Sequence, residues 1–226
     1  DPIKTPHLED SRVFEKGLGA GTDALEKEMY SLKTKGGDVL ALRPEGTAAV
    51  MRAYLEHGMR NLPQPVSLYY SGSLFRHDKP QRGRYREFQT FGLEVIGTEK
   101  AIADALIIQT FVKILEEAGC PSVVVDINSL GDKDSRVAYH KALVAYYRKH
   151  INALPAIDRE RLKTNPLRIL DSKEVKTIAI NEEAPDSISF LTPSAKKHFK
   201  EVLEYLDEAG IVYRINKNLV RGLDYY

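Results

Sequence analysis

The sequence predicts a mixed α/β or α+β domain, a sheet covered by helices, and three stretches carry that prediction. Residues 68–96 (LYYSGSLFRHDKPQRGRYREFQTFGLEVI) read as two β-prone segments joined by a polar loop, a hairpin with a long tip. Residues 99–119 carry a helical apolar stripe of Ile102, Leu106, Phe111, Ile114 and Leu115, stopped by Gly119 and Pro121. Residues 122–128 (SVVVDIN) follow as a strand, so strand, helix and strand succeed one another.

In chain order, residues 1–9 read as extended, with Pro2 and Pro6 barring a helix interior. Residues 12–30 hold a glycine-rich break and then TDALEKEMY. DVLALR at 38–43 is a short alternating strand closed by Pro44. Gly46 suits a turn and Thr47 an N-cap, opening a helix over 48–59 with Val50, Met51, Tyr54, Leu55 and Met59 on its buried side. Free amides at that helix start favour an anion and Glu45 a cation, so the corner is either a zwitterion receptor or simply a capped turn.

Alternation along the second hairpin strand places Phe91, Leu93 and Val95 on one face, able to bury against helices. Thr90, Gly92 and Glu94 share the other, where Gly92 leaves room for a ligand and Glu94 offers a carboxylate to a cavity. Arg76 ends the first strand beside a loop carrying Lys79, Arg82, Arg84 and, when charged, His77. The arrangement suits a phosphate at one end and a cationic or hydrogen-bonding ligand at the other, or else it is a solvated hairpin.

Residues 132–192 change texture: helical patterns rich in Lys, Arg and Tyr, expected to form a helical insertion. Thr192-Pro193 then caps a helix running to Ala209, with Gly210 just past its end. Segments 211–216 and 219–226 are expected to form a last hairpin around Lys217-Asn218. The domain scheme is therefore a core in two parts, 1–131 and 193–226, interrupted by the insertion at 132–192.

Composition narrows the function classes. With 33 Lys+Arg against 32 Asp+Glu, global charge does not favour a polyanion partner, so any such site must be local. The single Cys120 excludes an internal disulfide framework and fits a reducing compartment. No apolar run is long enough to cross a bilayer and no signal peptide is visible, so a soluble, cytoplasmic protein without membrane contact is expected.

LRPEGT at 42–47, FRHDKPQRGRYREF at 75–88, NPLRILDSK at 165–173 and RGLDYY at 221–226 together resemble histidyl-tRNA synthetase, and TDALEKEMY and NSLGD extend the resemblance over the whole chain. It implies an α+β, class II synthetase-like antiparallel β-sheet flanked by helices, with a helical insertion and the second class-defining motif in the 68–96 hairpin. It also implies activation of L-histidine with ATP and Mg²⁺, transfer to tRNA(His), and a homodimer. No protein metal site is identifiable.

By that resemblance Arg76 grips the α-phosphate of ATP, and Arg221 bridges the amino-acid carboxylate and that phosphate. Glu45, Gly46 and Thr47 hold the α-amino group, while Glu94 and Tyr226, with Tyr225 alongside, read the imidazole. The loop with Lys79, Arg82 and Arg84 faces the tRNA.

Three departures from the family pattern stand out. Thr90 occupies the position of a glutamine that touches the amino group, with Gln89 one residue off and on the opposite face unless a bulge intervenes. Asp78 replaces a longer glutamate near the adenine. The family's third motif and anticodon-binding domain are expected beyond 226 and its dimer helix ahead of 1, so the stretch alone is expected to form no adenylate. Both Arg221 and Tyr226 can reach one ligand only with a kink at Gly222. The alternative from another class is the non-catalytic relative that senses histidine, the regulatory subunit of ATP phosphoribosyltransferase; retention of Arg76 and Arg221 argues for the enzyme.

Overall fold

The computed structural model describes residues 1–18 and 28–220, and they form an α+β fold of helices and short, mainly antiparallel sheets. The chain divides into two compact units, Asp1–Thr98 and a second that begins at Glu99.

In the first unit, β1 (Leu8–Asp10) runs directly into helix α1 (Ser11–Leu18). Strands β2 (Ser31–Lys33) and β3 (Val39–Leu42) complete an antiparallel sheet of order β1-β3-β2, with Leu8 opposite Leu42 and Leu32 opposite Leu40. The expected strand over 38–43 is this central β3. Helix α2 (Thr47–Glu56) follows after Pro44, and Gly58, at φ 62°, takes the left-handed conformation past its end. Its buried face is Ala49, Val50, Ala53 and Tyr54, whereas Leu55, expected inside, is exposed. Two alanines flank the larger pair and let the helix lie close, which turns Leu55 outward.

The hairpin forms as the alternation predicts. Strands β4 (Val66–Phe75) and β5 (Glu87–Ile96) pair through ten consecutive positions, from Val66 opposite Ile96 to Phe75 opposite Glu87. The ladder contains no bulge. Val66 and Leu68 pack on Val50 and Tyr54 of α2, with Ile3, Met51, Met59, Tyr70 and Ile96 around them. The face turned to α2 is therefore the one that carries Thr90, Gly92 and Glu94. The face of Phe91, Leu93 and Val95, expected to bury, is the more open one, with Phe91 and Tyr69 both exposed and in tilted ring contact at 6.1 Å. Residues 1–3 run extended along β4, where Ile3 N donates to Tyr69 O at 2.9 Å.

The second unit opens with α3 (Ala101–Glu117), packed against α7 (Pro193–Glu208) through Ala101 and Ala105 on one side and Phe199, Val202 and Leu206 on the other. The expected stripe is inverted here: Ile102, Leu106, Ile114 and Leu115 are exposed, because the alanine face allows the closer approach to α7. Strand β6 (Val125–Ile127) pairs in parallel with β7 (Tyr213–Ile215), the strand expected at 211–216. The other arm of the expected last hairpin lies, from 221 on, outside the described residues.

Between Lys133 and Phe190 all regular structure is helical: α4 (Lys133–Lys149), α5 (Ala156–Thr164), α6 (Val175–Asn181) and two 3₁₀ turns. This segment has its own core of Tyr139, Leu143, Tyr147, Leu154, Ile169, Leu170 and Ala184. Asp158, fully buried, ties it together by accepting from Ser172 Oγ (2.7 Å), Thr177 Oγ1 (2.6 Å) and Arg161 Nη1 (2.9 Å). A second carboxylate, Asp132, joins the segment's two ends. Asp132 caps α4 through Ser135 N at 2.9 Å and accepts from the hydroxyl of Thr192, itself the N-cap of α7.

Candidate functional site

The corner after β3 and the middle of the hairpin meet in the first unit, and three side chains from separate elements converge there. Glu45 precedes α2, and its two carboxylate oxygens accept from Thr47 N and Ala48 N, each at 2.8 Å. The first amides of the helix are thus satisfied by the chain's own carboxylate rather than left for an anionic ligand. That corrects the expectation of a free anion site at this corner. Thr47 is also the first helical residue rather than the cap, which is Gly46. Its hydroxyl is committed elsewhere: Oγ1 donates to Glu94 Oε1 at 2.8 Å. Thr47 therefore links the two acidic side chains, one through its amide and one through its hydroxyl.

The electrostatics follow from burial. Glu45 is pushed above the usual carboxylate range by desolvation, opposed by the two amides, by Thr47 and by the charge of Arg76. Glu94 is raised by the same cause and further by the negative charge of Glu45, with Thr47 opposing among the described residues. Tyr70, the cross-strand partner of Gly92, is pushed up to about 12 by burial and by both glutamates, so its phenol stays protonated. The region is a half-buried acidic pair with hydroxyl donors around it, which suits a ligand bearing cationic or N–H groups.

Tyr70 was not singled out by the sequence reading. A Cβ built on Gly46 would lie 2.2 Å from its ring, and one built on Gly92 only 2.1 Å. The room that Gly92 provides is taken by this tyrosine rather than left open. The signal was present in the register, since a bulky Tyr directly opposite a Gly on an antiparallel ladder must lie across it.

Arg43 was also unremarked. It is buried, donating from Nε to Ser73 O (2.8 Å) and from Nη1 to Thr5 O (2.8 Å), which fixes the end of β3 against β4. Arg76 lies at the end of β4 with its Nε bonded to Pro44 O at 2.9 Å and its guanidinium 5.4 Å from the Phe88 ring centroid. Glu45 and Arg76 are thereby held beside the same proline.

Thr90 faces Gly72 across the ladder, on the face shared with Glu94, while Gln89 points the other way and donates from Nε2 to Ser73 Oγ at 2.8 Å. With no bulge, Gln89 does not substitute for a glutamine at 90. At the hairpin tip Asp78 is paired to Arg84 at 3.2 Å, and Gln81 and Arg84 close a tight turn around Gly83, at φ 80°. Lys79, Arg82 and Arg84 project into solvent there. Arg221, Tyr225 and Tyr226 lie outside the described residues.

In the second unit a cleft of about 810 Å³ is lined by His140, Arg148, Arg159 and Lys163, with Glu160 among them. It contains none of the sequence-predicted residues. Among the described residues no three His, Cys, Asp or Glu side chains gather as a metal site, and no helix is long and apolar enough to cross a membrane.

Comparison with known proteins points one way. Residues 1–226 match the family described as histidyl-tRNA synthetase. The histidine–tRNA ligase of Synechococcus elongatus is 45% identical over 224 residues, 99% of this chain and 52% of that protein. That of Bacillus subtilis is 44% identical over 225 residues, 99% of this chain and 53% of that protein. The chain thus spans about half the length of the curated relatives it matches. Among solved structures, apo Staphylococcus aureus histidyl-tRNA synthetase superposes with a TM-score of 0.75 at 38% identity, covering all of this chain and 50% of that one. A Bacillus halodurans protein described as an ATP phosphoribosyltransferase regulatory subunit/histidyl-tRNA synthetase shares the fold, with a TM-score of 0.64 at 24% identity.

Proposed function

The chain belongs to the histidyl-tRNA synthetase family, and from that premise we propose that it is the catalytic part of a histidine–tRNA ligase. In this reading the whole protein, a cytoplasmic homodimer, joins L-histidine to ATP as histidyl-adenylate and passes the histidyl group to tRNA(His). The observation that carries it is the pair Glu45 and Glu94, bound to one another through Thr47 and both raised by burial. Two half-buried carboxylates side by side repel one another and are costly to ionise. Histidine relieves that cost with its ammonium group at Glu45 and Thr47 and its imidazole N–H at Glu94.

Positioning does most of the chemical work. The histidine carboxylate attacks the α-phosphorus of ATP, an O–P bond forms, and the bond to the bridging oxygen breaks to release pyrophosphate. Negative charge accumulates on the α-phosphate, and Arg76 is placed to meet it. Its Nε is held by Pro44 and its plane by Phe88, which leaves the Nη edge of the fork for phosphate oxygens. Arg221 is assigned the second positive charge at the reacting carboxylate, with Tyr225 and Tyr226 completing the imidazole site. Mg²⁺ accompanies ATP as the counter-ion of its phosphates. Lys79, Arg82 and Arg84 at the hairpin tip give tRNA a cationic approach, and Asp78 steadies that tip through Arg84. Thr90, shorter than glutamine, contributes at most a hydroxyl to the amino-group end.

Histidine-dependent exchange of pyrophosphate into ATP, measured on the full-length protein, is the test. Exchange that requires histidine is expected. Histidine binding without exchange would replace the reading with a histidine sensor, and neither would overturn the pocket altogether.

A further inference from the structure

The position of Tyr70 goes beyond the assignment of Glu45 and Glu94, although it rests on that assignment. Two glycines on separate elements, Gly46 at the corner before α2 and Gly92 in β5, both lie against one ring: a Cβ on either would come within 2.2 Å of it. Backbone conformation does not demand glycine at these places. Gly46 sits at φ −101° and ψ −31°, open to any residue, and Gly92 is not among the glycines with positive φ. Space alone explains them. The ring is therefore inserted between the turn that bears Glu45 and the strand that bears Glu94.

The geometry points to Tyr70 as a positioning residue: its ring is the wedge that sets the separation of the Glu45 turn from the Glu94 strand, and with it the length of ligand that spans the two. The glycines supply the slot, β4 supplies the register that puts Tyr70 opposite Gly92, and Thr47 closes the top by bonding to Glu94. Without the ring the turn settles toward the strand, and a ligand with donors at both ends no longer reaches both carboxylates in good geometry. The wedge acts chiefly on the amino-acid end, because Arg76, although bonded to Pro44 O next to Glu45, is also held by the Phe88 ring at the far end of the hairpin.

The test measures histidine and ATP binding to the full-length protein for wild type, Tyr70→Ala, Tyr70→Phe, Gly92→Ala and the Tyr70→Ala/Gly92→Ala double variant. Tyr70→Ala and Gly92→Ala are each expected to weaken histidine about tenfold or more, since small misplacements of a bound geometry are that expensive, with ATP affinity changing far less. Tyr70→Phe, which keeps the ring, should recover most of the loss. In the double variant the Gly92 change should add little, because the ring it strikes is gone. If Tyr70→Ala does not fold, Tyr70→Leu carries the same comparison. Wild-type protein that fails to bind histidine overturns the underlying reading. Wild type that binds, with Tyr70→Ala and Gly92→Ala binding equally well, overturns the wedge alone. So does an equal loss in Tyr70→Phe and Tyr70→Ala, which would move the role to the hydroxyl.

Discussion

Replacing Thr47 by valine keeps the shape of the side chain and deletes one donor. Its Oγ1 reaches Glu94 Oε1 at 2.8 Å and, among the described residues, is what holds the Glu94 carboxyl down against burial and the charge of Glu45. A hydrogen bond to a charged partner contributes about 1.5–3 kcal/mol, and because Glu94 is only partly buried the lower end applies. About 1.5 kcal/mol is roughly tenfold in an equilibrium constant. Thr47→Val should therefore weaken histidine by about tenfold at neutral pH. It should also move the acid limb of the binding profile to higher pH, since Glu94 then takes up its proton sooner. Calorimetric titration of the full-length protein with histidine from about pH 5 to about pH 8 reads both effects, and the ligand's own imidazole titration cancels between variant and wild type. Superimposable profiles would remove the Thr47–Glu94 bond from the site.

Three further outcomes are expected. Glu94→Gln should raise the melting temperature near neutral pH: a carboxyl raised in the folded state contributes most below its unfolded value of 4.5 and loses that contribution as pH rises, so the gain should vanish near pH 4.5. An equal gain at both pH values would refute the electrostatic cause. Arg76→Ala should lower the rate of pyrophosphate exchange by about 10² or more with histidine binding nearly unchanged; a normal rate would remove it from the mechanism. Asp158→Ala strips a fully buried acceptor from two hydroxyls and Arg161, and should destabilise the helical segment by about 3 kcal/mol, read by denaturant melts and faster proteolysis within 133–190. A change below about 1 kcal/mol would show that water replaces the carboxylate at little cost.

Much of this was legible in the residues, and the failures share a cause. Alternation in 68–96 fixed which side chains share a face, and the ten-pair ladder follows it. Alternation does not say which face meets the core, and there the expectation for Phe91, Leu93 and Val95 went astray. The same holds for α3, where large apolar residues marked one face and the small Ala101 and Ala105 made the contact with α7. At the corner, residue types marked Glu45, Thr47 and Glu94, which the fold brings together. Their connections depend on atoms brought together across the chain, so the use of the α2 amides by Glu45 could not be read from spacing. Tyr70 sat in plain view as one of two adjacent tyrosines, and only the register opposite Gly92 separates it from Tyr69.

The bond between Asp132 and Thr192 has a consequence for how this architecture can vary. Everything from Lys133 to Leu191 leaves and re-enters the chain at one carboxylate, with Thr192 N also bonded to Ser135 Oγ at 2.9 Å. The two ends are thereby closed on each other, so the length of chain between them adds little to the cost of closure. Each doubling of such a loop adds only about 0.6 kcal/mol of closure entropy. The segment is tied at its neck and has its own core, with Ser187, Ile188 and Leu191 reaching out of it to Asn128 and the α3–α7 core. A change of length within 139–184 that spares Asp132, Ser135 and Thr192 is therefore expected to leave β6 and β7 in register.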